Sequence, residues 1–221
     1  MLRINFPLLE ESILVEHATF LVIKETRALA NLVKLFYQYD EESELKLYDK
    51  EYKSLSGSAL LLVSDVLGHD INSPSILKLI YADLEEQLNG KPEIKSEIEI
   101  LSLKITEIMA HEILDHELDL EQDEITILEL FKILGIQIET RSDTIFEKTI
   151  EILQVYKFLS KKKILVFFNV SLYLTKEEII EISEFISMLY KPVLFIESRE
   201  IAGVKQFVLD EDYFLMSVDM V

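Results

Sequence analysis

KKKILVFFN (residues 161–169) decides the fold. Three lysines run into five apolar residues, which end at Asn169. A run this short, without alternation and rich in β-branched and aromatic side chains, reads as a strand buried on both faces. Strands covered on both faces belong to parallel sheets. Downstream, Thr175 and Glu178 have capping-box spacing, which opens a helix over 176–189, and PVLFIES (192–198) is a second buried strand. QFVLD (206–210) and YFLMSV (213–218) add two short strands. Upstream, 143–160 reads as a helix and IQIET (136–140) as a strand.

The first fifty residues repeat this texture. LRINF (2–6) and ESILVE (11–16) alternate, TFLVI (19–23) is a buried run, and ELKLYD (44–49) is a short strand. Between them, Leu29, Leu32, Val33 and Phe36 form one helical stripe.

The middle of the chain is different. Residues 58–67 suggest a helix ended by Gly68, and Ser73 before Pro74 marks a helix start. Leu77, Ile80, Tyr81, Leu84 and Leu88 share a face, and NGKP (89–92) breaks the chain. A long helix follows over 93–117, with Ile94, Ile98, Ile105 and Ile108 inward. TILELFKIL (126–134) is a short helix with Gly135 as its C-terminal stop. The pattern implies an α/β head with a largely parallel sheet, split by an inserted all-α leg: head 1–56, leg 57–134, head 135–221.

Composition narrows the function. Among 221 residues, 41 acids face 22 bases, a net charge of −19, and there is no cysteine. Such a charge repels DNA and anionic membranes at long range, so a nucleic-acid role needs its bases gathered locally. Thiolate zinc sites and cysteine nucleophiles are excluded. MLRINFPLLEESILVE carries no secretory leader pattern and no apolar run is long enough to span a bilayer, so a soluble, cytoplasmic protein is expected.

Three chemistries are tested by motif. A P-loop needs glycines, then Lys and Ser/Thr. The loop after TFLVI is KETRA, without glycine, and the strand at 164–168 ends at Asn169 rather than an acid, so nucleotide hydrolysis is not expected. HEILDHELDLEQDE (111–124) begins like the H-E-x-x-H metalloprotease helix. Asp115 stands where the second histidine belongs, and His116 lies about 140° around the helix from His111. The acids beyond it offer hard oxygens to calcium, yet their spacing is not an EF-hand. On the residues alone a solvated acidic face is favoured over a metal site. Lys161, Lys162 and Lys163, with Lys157 a turn earlier, suit either phosphate or a helix C-terminus, and the residues alone favour the latter.

Longer stretches carry a resemblance: INFPLLEE, LVKLFYQYDEES, SEIEILSLKITEIM, LDLEQDEITILELFKILGIQIET, IFEKTIEILQVYKFLSKKKILVFFN and QFVLDEDYFLM. Over essentially its full length the chain resembles the type II-A CRISPR spacer-acquisition proteins. The resemblance implies a degenerate P-loop-ATPase-like head and a helical leg. It also implies a homotetrameric ring that binds double-stranded DNA ends without sequence preference and has no enzymatic activity. Partners would be the integrase complex and effector nuclease of the same system, and Ca2+ would hold the ring in shape. Carried onto this chain, the calcium ligands would be Glu117, Asp119, Asp123, Glu124 and Glu129. The DNA-facing bases would be Lys24, Arg27, Lys132, Lys157, Lys161, Lys162 and Lys163. The rival expectations are a nucleotide-dependent enzyme on the same scaffold and an acidic protein-interaction scaffold.

Overall fold

The computed structural model describes residues 2–219, and the chain divides into two units, Met1–Asp70 with Thr140–Val221, and Ile71–Glu139. The first unit holds every strand among the described residues: β1 (Leu2–Asn5), β2 (Ile13–Val15), β3 (Ala18–Ile23), β4 (Lys46–Tyr48), β5 (Leu60–Val63), β6 (Ile164–Phe168), β7 (Val193–Glu197), β8 (Gln206–Leu209) and β9 (Leu215–Val218). Its helices are α1 (Thr26–Tyr37), α5 (Ile145–Phe158) and α6 (Lys176–Leu189). The second unit holds α2 (Pro74–Asn89), α3 (Pro92–Leu114) and α4 (Ile127–Ile133).

The main sheet runs β5-β6-β7-β3-β8-β9. All neighbours are parallel except β9, which turns back antiparallel on β8. All five residues of β6 and all five of β7 are buried, as expected for strands covered on both faces. On one face Phe20, Phe195 and Phe167 stack, with centroids 4.6 and 5.3 Å apart. On the other, Leu21, Ile23, Val166, Phe168 and Ile196 pack with Leu32 and Phe36 of α1. That same core takes in Ile4, Ile13 and Leu47 from a separate three-stranded antiparallel sheet, β2-β1-β4. The sequence reads these strands but not their separation into a second sheet.

Both α5 and α6 open with capping boxes, Thr144 with Glu147 and Thr175 with Glu178, as the spacing at 175–178 requires. In the helical unit Pro74 begins α2 as expected, although Ser73 bonds to Ser75 rather than capping the backbone. Gly135 takes φ +63° just past α4, a conformation that costs glycine little.

Three expectations fail. Residues 58–67 are not a helix: a single 3-10 turn at 57–59 leads into β5, which pairs with β6. The apolar run LLLV satisfies a sheet neighbour there, so residues 57–70 stay with the sheet unit and the helical unit starts at Ile71. IQIET is not a strand. Its backbone is bonded by side chains instead: Tyr81 Oη donates to Ile136 O (2.7 Å), and Asn72 both donates to Ile138 O (2.9 Å) and accepts from Ile138 N (2.8 Å). Ile94, Ile105 and Ile108 of α3 do not face inward; each is about half exposed or more, and of that set only Ile98 packs against the small Tyr81–Ile127–Phe131 core.

Candidate nucleic-acid interface

The sequence-predicted bases do not form one group. Lys157 lies in the last turn of α5, and Lys161, Lys162 and Lys163 fill the loop to β6. This loop stands at the edge where β6 and β7 begin. Lys24 and Arg27 follow the end of β3, at the opposite edge of the same parallel sheet, and Lys132 belongs to α4 in the other unit.

Their electrostatic states differ. Lys24 is ion-paired to Glu200 at 2.6 Å, and hydrogen bonding to that carboxylate holds its amine above the ordinary lysine value. Arg27 and Lys132 are exposed. In the loop, Lys162 is half-buried. Its ammonium donates to Leu60 O (2.8 Å), and burial pushes its pKa down. It ties the loop to β5 and is not a free surface cation. Lys163 donates through its backbone to Ala59 O (2.7 Å) and through Nζ to Ser160 O (3.0 Å). Lys157 lies 5.8 Å from the Phe158 ring centre, and Lys161 is exposed. Among the described residues none of Lys157, Lys161 and Lys163 is ion-paired to a carboxylate. They are uncompensated positive charges in a strongly acidic chain.

Sequence reasoning missed Lys191, between α6 and β7. Its ammonium donates to Tyr156 O (2.8 Å) and Leu159 O (3.0 Å) and sits 4.3 Å above the Tyr156 ring. Burial, with Lys163 nearby, pulls its pKa down to about 8. A lone lysine before proline gives no signal of this.

The opposite edge, where strands end, is where open α/β sheets hold ligands. Here it carries its own anion. The Glu25 carboxylate accepts from the backbone N–H of Arg27 (2.9 Å) and from that of Ala28, at the N-terminus of α1. These bonds hold Glu25 below the usual glutamate pKa. In a phosphate-binding fold a phosphate would occupy that place. At the end of β7, Glu197 is fully buried and accepts from the backbone N–H (3.2 Å) and hydroxyl of Ser171. Burial raises its pKa to about 7, against the opposing hydrogen bonds.

Four of the acidic candidates, Glu117, Asp119, Asp123 and Glu124, lie in the irregular, exposed stretch between α3 and α4, and the fifth, Glu129, lies in the first turn of α4. Gln122 ties it to α3 by donating to Thr106 O (2.8 Å). His116 Nδ1 accepts from Leu118 N (3.1 Å). Glu129 serves a capping box, accepting from Thr126 N (2.9 Å) and Thr126 Oγ1 (2.7 Å), which lowers its pKa. Glu117, Asp119, Asp123 and Glu124 have the hard-oxygen chemistry calcium prefers. Among the described residues no three His, Asp or Glu side chains come together as a metal site.

A family model described as CRISPR-associated protein (Cas_Csn2) matches residues 38–213. A curated CRISPR-associated protein Csn2 of Streptococcus agalactiae is 54% identical over 221 residues, covering 100% of both chains. The chain belongs to the Csn2 family. The Csn2 protein of Enterococcus faecalis is also 54% identical, over 214 residues, covering 97% of this chain and 98% of that one. Among solved structures, the one described as the crystal structure of Stu0660 of Streptococcus thermophilus matches with a TM-score of 0.60 and 12% identity, covering 100% of this chain and 76% of that chain. That likeness is one of fold. Csn2 membership agrees with the type II-A CRISPR resemblance read from the sequence. No helix among the described residues is long and apolar enough to cross a membrane.

Proposed function

We propose that this Csn2-family chain binds double-stranded DNA without sequence preference, engages free ends as a homotetrameric ring, and serves spacer acquisition without performing chemistry. One observation carries the DNA reading: Lys157 in the last turn of α5 and Lys161 and Lys163 in the loop after it have, among the described residues, no carboxylate paired to them. Phosphate contacts by such lysines release counterions, so affinity should fall steeply with salt. The non-enzymatic reading is supported by Glu25, whose carboxylate occupies the helix N-terminus where a nucleotide phosphate would bind. Self-association is supported by α3. Leu101, Ile105 and Ile108 repeat at coiled-coil spacing and are 49–55% exposed, leaving an apolar seam uncovered.

Calcium enters this reading through donor chemistry alone. Glu117, Asp119, Asp123, Glu124 and Glu129 are the carboxylates to test, by calorimetric titration with calcium and with magnesium. The function is tested by gel shift with linear and covalently closed circular duplex. Retention of the linear form only, with loss after Lys157, Lys161 and Lys163 are together changed to Met, is the expected result. Equal binding of both topologies would rule out threading onto ends. Sustained phosphate release from ATP would restore the enzyme alternative.

A further inference from the structure

We propose that Lys191 is a positioning residue for the lysine loop, holding Lys157, Lys161 and Lys163 at the sheet edge while making no DNA contact itself. This rests on the DNA-binding reading above. An α-helix leaves its last carbonyls without partners, and a lysine near the C-terminus satisfies them and complements the dipole. At the end of α5 this lysine comes from a segment more than thirty residues away in sequence. Lys191 Nζ bonds Tyr156 O and Leu159 O, at 2.8 and 3.0 Å, while the buried Tyr156 hydroxyl donates back to Pro192 O at 3.1 Å. The end of α5 and the start of β7 are thereby stitched in both directions.

An ammonium has three N–H donors. Two go to these carbonyls, and the ammonium lies 4.3 Å over the centre of the Tyr156 ring, a cation–π placement. These contacts turn the ammonium toward its own chain. The chain then runs from Leu159 through Lys161 to Lys163, whose N–H is fixed by Ala59 O. Lys162, bonded to Leu60 O, anchors the far side of the loop, and Lys191 anchors the near side. The five lysines at this edge therefore divide into two ties, Lys162 and Lys191, and three uncompensated cations, Lys157, Lys161 and Lys163.

The test compares K191M, K191Q, K191R and K161M with the unsubstituted protein, measuring linear-duplex affinity across a salt series and amide hydrogen exchange over 157–163. K191M and K191Q should bind about tenfold more weakly at fixed salt, keep the salt slope, and exchange faster at 159–163. K191R, which retains donors and charge, should restore most of the affinity. K161M should instead reduce the slope by about one, as expected for one lost phosphate contact. A slope change in K191M equal to that of K161M would overturn the proposal, since Lys191 would then touch phosphate. Unchanged affinity in both neutral variants would also overturn it. If K191M does not fold, K191Q and K191R decide the matter by the same measurements. If the unsubstituted protein binds no duplex, the DNA reading fails while the tie stands or falls on the exchange data alone.

Discussion

The sheet unit and the helical unit follow the same local rules and reach different ends. Each has a helix opened by a Thr–Glu capping box, and each has a proline-led or turn-led entry that the sequence displays. The sheet unit converts its apolar residues into a continuous core on both faces of β6, β7 and β3. The helical unit gathers a small core around Tyr81, Ile127 and Phe131, with Ile71 and Ile76 also buried, and leaves much of α3 apolar and exposed. A pattern of apolar spacing thus marks an apolar face, and does not by itself say whether the rest of the chain covers it.

That contrast can be broken at graded strength. Phe167 lies in the ring stack of the sheet core, and Phe167→Ala should lower the unfolding free energy by about 3–5 kcal/mol in a denaturant titration. A loss under about 1 kcal/mol would show that the core relaxes around the gap.

Glu197 should act next. Its pKa is raised from 4.5 to about 7 in the fold, so below 4.5 it is protonated in both states and has no effect. As pH rises from 4.5 to 7 the unfolded chain gives up the proton first, and stability falls by on the order of 3 kcal/mol, then levels off. Glu197→Gln should remove this fall, so the variant should gain on the parent as pH rises from 4 to 8. A constant difference across that range would refute it. Thr175→Ala, which removes one half of the α6 capping box, should cost about 1 kcal/mol. Leu101→Glu with Ile108→Glu, on the exposed seam of α3, should change unfolding of the chain by no more than about 0.5 kcal/mol. Its effect should appear instead as a lower mass in light scattering. A large loss of stability with unchanged mass would mean that this seam is internal core.

Strands buried on two faces were legible because their patterns leave no alternative: ILVFF and VLFIE have no polar face to turn outward. LLLV at 60–63 was not, because a short apolar run fits a helix equally well until a neighbouring strand claims its backbone. IQIET alternates like a strand, yet Asn72 and Tyr81 supply its hydrogen bonds from a distance that spacing does not encode. The lysine run at 161–163 was visible as charge, but whether each ammonium was free or spent was not. Lys162 and Lys24 were used by Leu60 O and Glu200, partners more than a hundred residues away. Glu197 gave no sign either, since a glutamate closing an apolar run reads as the point where a strand reaches water.

Glu25 has a consequence in terms of competition. A carboxylate tethered one residue before the helix it caps is present there at an effective concentration far above that of any solute. An anion arriving from solution must displace a group that cannot diffuse away, and must do so beside a lysine already neutralised by Glu200. At the sheet edge where strands end, one tethered side chain thus competes with any dissolved anion for the α1 N-terminus.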